Sequence, residues 1–403
     1  MSKNKFLRVP YGLSVHGKEE INAVLKVLKT STQMGKNVAL FEKKVAKMFN
    51  KKFGLMVNSG SSSIMLAMEV LNFPKGSEII TPALTFGTTV SYIVKNQLVP
   101  VFADVKEGTY CINEEEIKKL ITKKTKAIVA PHLLGNIVNW KKISKYLKKK
   151  KILIIEDSAD TIGATYKNKS TGYYADISIT SFYGSHMMNC AGNGGMVCFN
   201  NKSHYLRAKL LRSWGRSSSL YDEKSEKIEN RFNIYLDDIQ YDKKFVFSEI
   251  GHNVEPSEMG AAFGLEQLKK LNKNIQLREN NFKKLTKFLK KYENYFILPK
   301  QLKGSKTGWL AYPLTIKNGS PFTRTEMQIF LEKRNIQTRV VFTGNILRQP
   351  GFKNIKCKKY KSGYPEADKV MKNGILIGCH QGMTTKMMKH LTSSIEKFIL
   401  LNI

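Results

Sequence analysis

The stretch Ile152-Leu153-Ile154-Ile155-Glu156-Asp157 is an apolar, mostly β-branched run closed by two acids. Such a run reads as a buried strand that carries a carboxylate to its C-terminal tip. Four more short runs precede it, at Phe53 to Val57, Glu78 to Thr81, Val99 to Ala103 and Ala127 to Pro131. Segments with helical spacing lie between them, among them Ser62 to Leu71 and Ile117 to Leu120. This alternation predicts an α/β fold: a mostly parallel sheet with helices on both faces. In open sheets of that design, ligands gather at the carboxyl ends of the strands. Asn58-Ser59-Gly60, Asp157 and Ser181 all fall there.

Further along, residues from about 215 to 250 are polar, with Ser217-Ser218-Ser219 and mixed charges, and read as an inserted loop. One helix is expected from about Ser257 to Leu271 and a second from Arg278 to Tyr292. The remainder mixes strand-like and helical stretches. The expected organisation is a large domain over 1–270, carrying the 215–250 loop, and a smaller C-terminal α/β domain over 271–403. A chain of 403 residues, 42% of them hydrophobic, can bury cores of that size.

The net charge of +35 raises nucleic acid as a partner. Lysine supplies most of it, and the lysines are spread along the chain with one short run at Lys148-Lys149-Lys150-Lys151. Nucleic-acid binders more often concentrate Arg and Lys on one element with interleaved aromatics. A solvated, lysine-biased surface with no nucleic-acid partner is the expectation, with a general pull on anionic ligands. No apolar run reaches the roughly 18 residues of a membrane span, so no membrane partner is expected. Met1-Ser2-Lys3-Asn4-Lys5 is not followed by a signal-like apolar segment. Five cysteines (Cys111, Cys190, Cys198, Cys357 and Cys379) show no CxxC spacing, which argues against a disulfide framework or a closed metal site and fits a reducing cytoplasm.

Several residues are candidates for chemistry. Gly60 and Ser61, in Ser59-Gly60-Ser61-Ser62, lie where a strand gives way to a helix, and exposed N–H groups make such a turn a phosphate site. Asp157, at the tip of an apolar strand, needs a charge partner, which a protonated pyridine nitrogen would supply. Ser181 offers another phosphate hydroxyl, Phe86 a flat face for a ring, and His186 an imidazole that moves protons near neutral pH. Each has a plainer reading: a serine N-cap, an aspartate capping the next helix, a core phenylalanine, a hydrogen-bonded histidine. The specificity lies in their order along the chain, followed by Gly194-Gly195.

That order resembles the DegT/DnrJ/EryC1/StrS sugar aminotransferase family from about residue 10 to the C-terminus. The resemblance implies a PLP-dependent transferase of fold type I, like aspartate aminotransferase. In most of that family the residue five after the Ser-Phe serine is the lysine that holds pyridoxal phosphate (PLP) as a Schiff base; here it is His186. This swap marks the branch of 3-dehydratases that act on nucleotide-linked 4-keto-6-deoxy sugars. Asp160, where the aminotransferases usually have glutamine, resembles that branch, as do Gln97 to Phe102, Ile250-Gly251-His252-Asn253 and Thr338 to Asn345 with Arg348-Gln349-Pro350. By this resemblance Asp160 lies at the cofactor, and Asn253 reaches the cofactor phosphate of the neighbouring subunit in a homodimer with shared active sites. Arg339 and Arg348 lie near the substrate diphosphate, where forked donors suit the geometry.

Some members of the branch carry a [2Fe–2S] cluster on four cysteines, three of them clustered after a Trp-Gly-Arg. Here Trp214-Gly215-Arg216 is followed by Ser217-Ser218-Ser219-Leu220-Tyr221, and the earlier ligand position is Thr180. The resemblance therefore implies a cluster-free enzyme that binds no metal and draws its amino group from L-glutamate. Trp214 stands where the cluster-free members have histidine, which leaves the nucleotide open. The implied chemistry starts from pyridoxamine phosphate (PMP) held non-covalently. His186 removes a proton from the cofactor, the ring kept protonated by Asp157 takes the electrons, and the sugar loses its C-3 hydroxyl. The rival expectations are an aminotransferase-like protein with altered or lost activity and a basic nucleic-acid-binding protein.

Overall fold

A computed structural model describes residues 6–221, 228–360 and 362–403. Its centre is a seven-stranded sheet built from β1 (Phe53–Val57), β2 (Glu78–Pro82), β3 (Val99–Ala103), β4 (Thr125–Pro131), β5 (Leu153–Asp157), β6 (Ile177–Ser181) and β7 (Gly195–Phe199). The spatial order is β1-β7-β6-β5-β4-β2-β3. The pairs β2/β3, β2/β4, β4/β5 and β5/β6 are parallel, while β7 runs antiparallel to both β1 and β6. Every residue of β2, β6 and β7 is buried, as a sheet covered on both faces requires.

The five strands read from the sequence are present, β1 and β3 with the expected ends and the other three shifted by a residue or two, and β6 and β7 join them. Ile177-Ser178-Ile179-Thr180-Ser181 alternates apolar with hydroxyl residues, a pattern that understates a strand buried on both sides. Thr180 Oγ1 donates to the Ser158 carbonyl at 3.0 Å, and Ser181 Oγ accepts from the Tyr183 N–H at 3.3 Å.

A four-stranded antiparallel sheet follows, from β8 (Phe296–Ile297), β9 (Tyr312–Ile316), β10 (Thr338–Val340) and β11 (Gly374–Ile377), in the order β8-β9-β11-β10. Its core is continuous with side chains of the large sheet: Leu84, Val90 and Phe102 pack in the same cluster as Trp309, Tyr312 and Ile377. The N-terminal segment joins it too, since Val9 donates to the Asn335 carbonyl at 2.9 Å and Gln337 donates back to Val9 at 2.8 Å.

Two expectations are corrected. The separate helices expected at 257–271 and 278–292 are one helix, Glu258–Leu289, capped by Ser257, whose side chain accepts from the Gly260 N–H. The polar stretch Asn272 to Leu277 holds neither Pro nor Gly, and burial of Asn274, Ile275, Arg278 and Asn281 carries the helix through it. Residue 270 falls within this helix, which joins the two sheets. The 215–250 loop also contains regular structure: a short helix at Ile228–Phe232 and a hairpin pairing Ile234–Leu236 with Ile239–Tyr241. Residues 222–227 of that loop lie outside the described residues.

Gly195 is where the sheet and the phosphate turn meet, for it is paired with both Val57 and Ser181. A Cβ there would lie 2.2 Å from the Ser59 carbonyl oxygen. Gly195→Ala should therefore destabilise the fold by about 3 kcal/mol, the upper range for overpacking. The check is urea unfolding, with a lowered midpoint at unchanged m-value.

Candidate active site

The carboxyl ends of β1, β5 and β6 open on a cavity of about 690 Å³. Gly60, Ser61, Phe86, Asp157, Asp160, Ser181, His186 and Arg339 all line it. Ser59 caps the helix Gly60–Glu69 by accepting from the Ser62 N–H at 3.1 Å. The N–H groups of Gly60 and Ser61 precede the first intrahelical bond and face the cavity end of the helix. A Cβ at Gly60 would come within 2.7 Å of Ser181 Cβ, so only glycine lets the turn approach the serine hydroxyl. This is an anion cradle of the size of a phosphate group.

Asp157 is 5% exposed, and its Oδ1 accepts from the Ala159 N–H at 3.1 Å. Burial pushes its pKa up to about 7, with nearby Asp160 adding to the shift. Its neighbour Glu156 points to the other face of the strand. There Glu156 Oε2 lies 3.0 Å from His132 Nε2, and Ser158 Oγ donates to Oε1 at 2.7 Å. One acid is thus paired within the protein, and Asp157 is left facing the cavity. A cationic ring nitrogen fits that position, which supports a pyridine cofactor here.

His186 sits in the return loop between β6 and β7. Its main-chain N–H donates to the Tyr183 carbonyl at 2.9 Å, and its Nδ1 lies 3.3 Å from the Ser181 carbonyl oxygen. A neutral ring so placed carries its proton on Nδ1 and leaves Nε2 with the lone pair. Nε2 lies 3.9 Å from Asp160 Oδ1, while Asp160 Oδ2 accepts from the Leu134 N–H at 2.9 Å. Burial lowers the pKa of His186 to about 4 and raises that of Asp160 to about 7. The imidazole is therefore a free base across the physiological range.

Phe86, half exposed at the mouth, meets Phe342 edge-on with ring centroids 6.1 Å apart. Arg339 lines the cavity over the ring of Tyr11, 5.8 Å from its centroid. Two residues named from the sequence are not among the cavity-lining residues. Asn253 is exposed and bridges to Ser213 through the main chain. Arg348 is exposed and forked onto Asp368 at 2.5 and 2.7 Å. Tyr11, Gln337 and Leu310 line the cavity without having been singled out. The i, i+2 spacing of Gln337 and Arg339 on one strand face was the available signal for Gln337.

The serines after Trp214 close the excursion on itself. Ser217 Oγ lies 2.9 Å from Ser248 Oγ, and Ser219 Oγ donates to the Arg216 carbonyl at 2.8 Å. Among the described residues no group of three or more His, Cys, Asp or Glu side chains is placed to hold a metal ion.

The model of the DegT/DnrJ/EryC1/StrS aminotransferase family matches residues 15–396. The chain belongs to this family. It is 32% identical over 400 residues to a dTDP-4-dehydro-2,6-dideoxy-D-glucose 3-dehydratase of Saccharopolyspora spinosa, across 97% of this chain and 86% of that one. It is 33% identical over 372 residues to a lipopolysaccharide biosynthesis protein of Salmonella typhimurium, across 90% and 85% of the two chains. In three dimensions it is similar to a GDP-4-keto-6-deoxymannose-3-dehydratase crystallised with a trapped PLP–glutamate geminal diamine. That comparison gives a TM-score of 0.84 at 27% identity and covers 98% of this chain and 100% of the other. The fold is that of the fold type I enzymes, as the resemblance implied.

Asp157 also sets a pH dependence. Its raised pKa means that folding favours the protonated acid. That contribution is present below the ordinary carboxylate range and lost as pH rises through about 7. Asp157→Asn should therefore stabilise the cofactor-free protein increasingly as pH rises from the ordinary carboxylate range to about 7, by at most about 4 kcal/mol above that, and leave it unchanged below the ordinary carboxylate range. The same variant should bind the cofactor more weakly. Thermal unfolding at two pH values, with a PLP titration beside it, checks both signs.

Proposed function

We propose that this protein is a PLP/PMP-dependent C-3 dehydratase (a lyase) of a nucleotide-linked 4-keto-6-deoxyhexose, using L-glutamate as amino donor. It would serve 3,6-dideoxysugar formation for lipopolysaccharide O-antigen. The observation that carries this reading is His186, an unprotonated imidazole in the cofactor cavity where aminotransferases of the family use lysine. The named relatives support it, since two are 3-dehydratases of nucleotide-linked deoxy sugars and one is a lipopolysaccharide biosynthesis protein.

When bound, the cofactor supplies an amine for the sugar ketone and a ring that accepts electrons. The chain does the rest. Gly60, Ser61 and Ser181 hold the phosphate, Asp157 keeps the ring nitrogen protonated, and Phe86 covers one face. Having no primary amine, His186 cannot hold the cofactor covalently; its Nε2 instead takes up a proton, and Asp160 lies beside that nitrogen. Arg339 and Arg348 serve the diphosphate. Asn253 reaches the cofactor phosphate of a second copy in a homodimer. The exposure of Ile239, Phe247 and Ile250 on the same excursion supports that assembly. We read the enzyme as cytoplasmic, cluster-free, and without nucleic-acid or membrane partners; among the described residues no helix is long and apolar enough to cross a membrane.

The direct test incubates the protein with PLP, glutamate and a 4-keto-6-deoxy nucleotide sugar, followed by mass spectrometry. Loss of the C-3 oxygen is expected; an amino sugar would favour the aminotransferase-like reading instead. Borohydride should fix no pyridoxyl group on the parent protein, whereas His186→Lys should become fixable and shift toward transamination. His186→Asn should keep cofactor binding and lose about 10²–10⁴-fold in rate.

A second expectation concerns iron. Anaerobic purification should yield no stoichiometric iron or sulfide, and turnover should require glutamate rather than a reductase. Thiolates hold such clusters, and the Thr180 and Ser217 to Ser219 hydroxyls are poor substitutes already engaged in hydrogen bonds.

A further inference from the structure

Arg278, midway along the Glu258–Leu289 helix, is 0% exposed. Its Nε donates to Gln381 Oε1 at 2.7 Å, and its Nη1 donates to the carbonyls of Trp309 at 2.9 Å and Leu310 at 2.8 Å. Nη2 is buried with no hydrogen-bond partner. Among the described residues Arg278 makes no ion pair, so a guanidinium is held in the core against neutral acceptors only. A buried cation of this kind is costly unless distant acids or a ligand compensate it. Leu310, whose carbonyl it holds, lines the cavity beside Asp160 and His186.

We infer that Arg278 is a positioning residue for proton transfer: its fixed charge, lying behind Leu310, favours the carboxylate form of Asp160 and the free-base form of His186. The catalytic meaning of this rests on the dehydratase reading; the electrostatics do not. Arg278 opposes the burial that raises Asp160, and it adds to the burial that lowers His186. The other titratable groups that line the cavity with the imidazole are His132 after β4, Asp157 and Asp160 at the end of β5, Tyr183 in its own loop, and Tyr11 in the N-terminal segment. Arg339 on β10 lines the cavity too, and Arg278, which interacts with Cys379 and His380 after β11, completes the set. Within that set Arg278 is the cation locked in place by three hydrogen bonds.

The decisive variant is Gln381→Glu, which keeps the guanidinium and its contacts but sets a counter-charge on Nε. Arg278→Gln removes the charge, and Arg278→Lys keeps it without the fork. Histidine-selective NMR, with His186→Asn to assign the signal, follows the imidazole through a pH titration without any cofactor. The midpoint should rise from about 4 by on the order of one pH unit in Gln381→Glu and in Arg278→Gln, and stay near the parent value in Arg278→Lys. The acid limb of kcat/KM should move the same way. An unmoved midpoint in a folded Gln381→Glu protein overturns the proposal and leaves Arg278 a structural anchor. That variant decides even if Arg278→Gln does not fold. A shifted midpoint in a protein that never dehydrates a sugar would sink the functional reading while leaving this one intact.

Discussion

A carboxylate placed at the end of a strand buried on both faces is the constraint around which this structure is arranged. Asp157 sits where the surrounding side chains offer a charge almost no solvation, so burial favours its protonated form, and one main-chain N–H is its nearest relief. Adjacent Glu156, buried as deeply, escapes the problem because alternation turns it to the other face, toward His132 and Ser158. Two neighbouring acids with the same chemistry thus have opposite fates. The paired one is a stable part of the sheet. The unpaired one makes the site electrostatically incomplete, which gives a bound cation its binding energy.

The reversed strand β7 is the second element of the design. Because it runs against β6, the chain leaves the cavity edge of the sheet at Ser181 and returns to it at Gly195. The loop carrying His186 is therefore held at both ends, and it is closed by Phe182 donating to the Gly194 carbonyl at 2.9 Å. A parallel continuation would need a long crossover and would take the chain away from the edge. Left-handed turns at Ala191 and Gly192 fold the return, with φ of 56° and 109°. An imidazole on so short a tether keeps its Nδ1 against Ser181, and that contact decides which nitrogen is basic.

What could be read without coordinates was local. The apolar runs, their polar tips and the Ser-Gly-Ser turn each rest on a few consecutive residues, and the resemblance supplied the order that linked them. What escaped depended on distant contacts. The polar stretch at 272–277 is helical because Asn274 and Arg278 are buried against other elements, something propensity alone cannot supply. Tyr11 enters the cavity only because Val9 pairs with Ile336, more than three hundred residues away. Asn253 and Arg348 were named through resemblance, and they stand apart from the cavity-lining set.

The charge of the chain separates in the same way into what is general and what is placed. Most of the +35 is lysine on the surface, flexible and hydrated, which sets solubility and a diffuse attraction for anions. The scarce arginines occur where a planar fork has a defined partner. Arg207 Nε donates to both oxygens of Glu249 while its Nη1 bonds the Glu69 and Val70 carbonyls, Arg212 bonds Glu42 and the Met56 carbonyl, and Arg348 is forked onto Asp368. Arg339 departs from this pattern: its guanidinium bonds the carbonyl of its own neighbour Thr338 and lies over Tyr11 at the cavity wall, with no carboxylate among its described partners. A fork in that setting has donors to offer an incoming oxyanion, as the lysine-rich exterior does not. An anion that enters the cavity therefore meets donors unpaired among the described residues at this wall, and net charge says little about them.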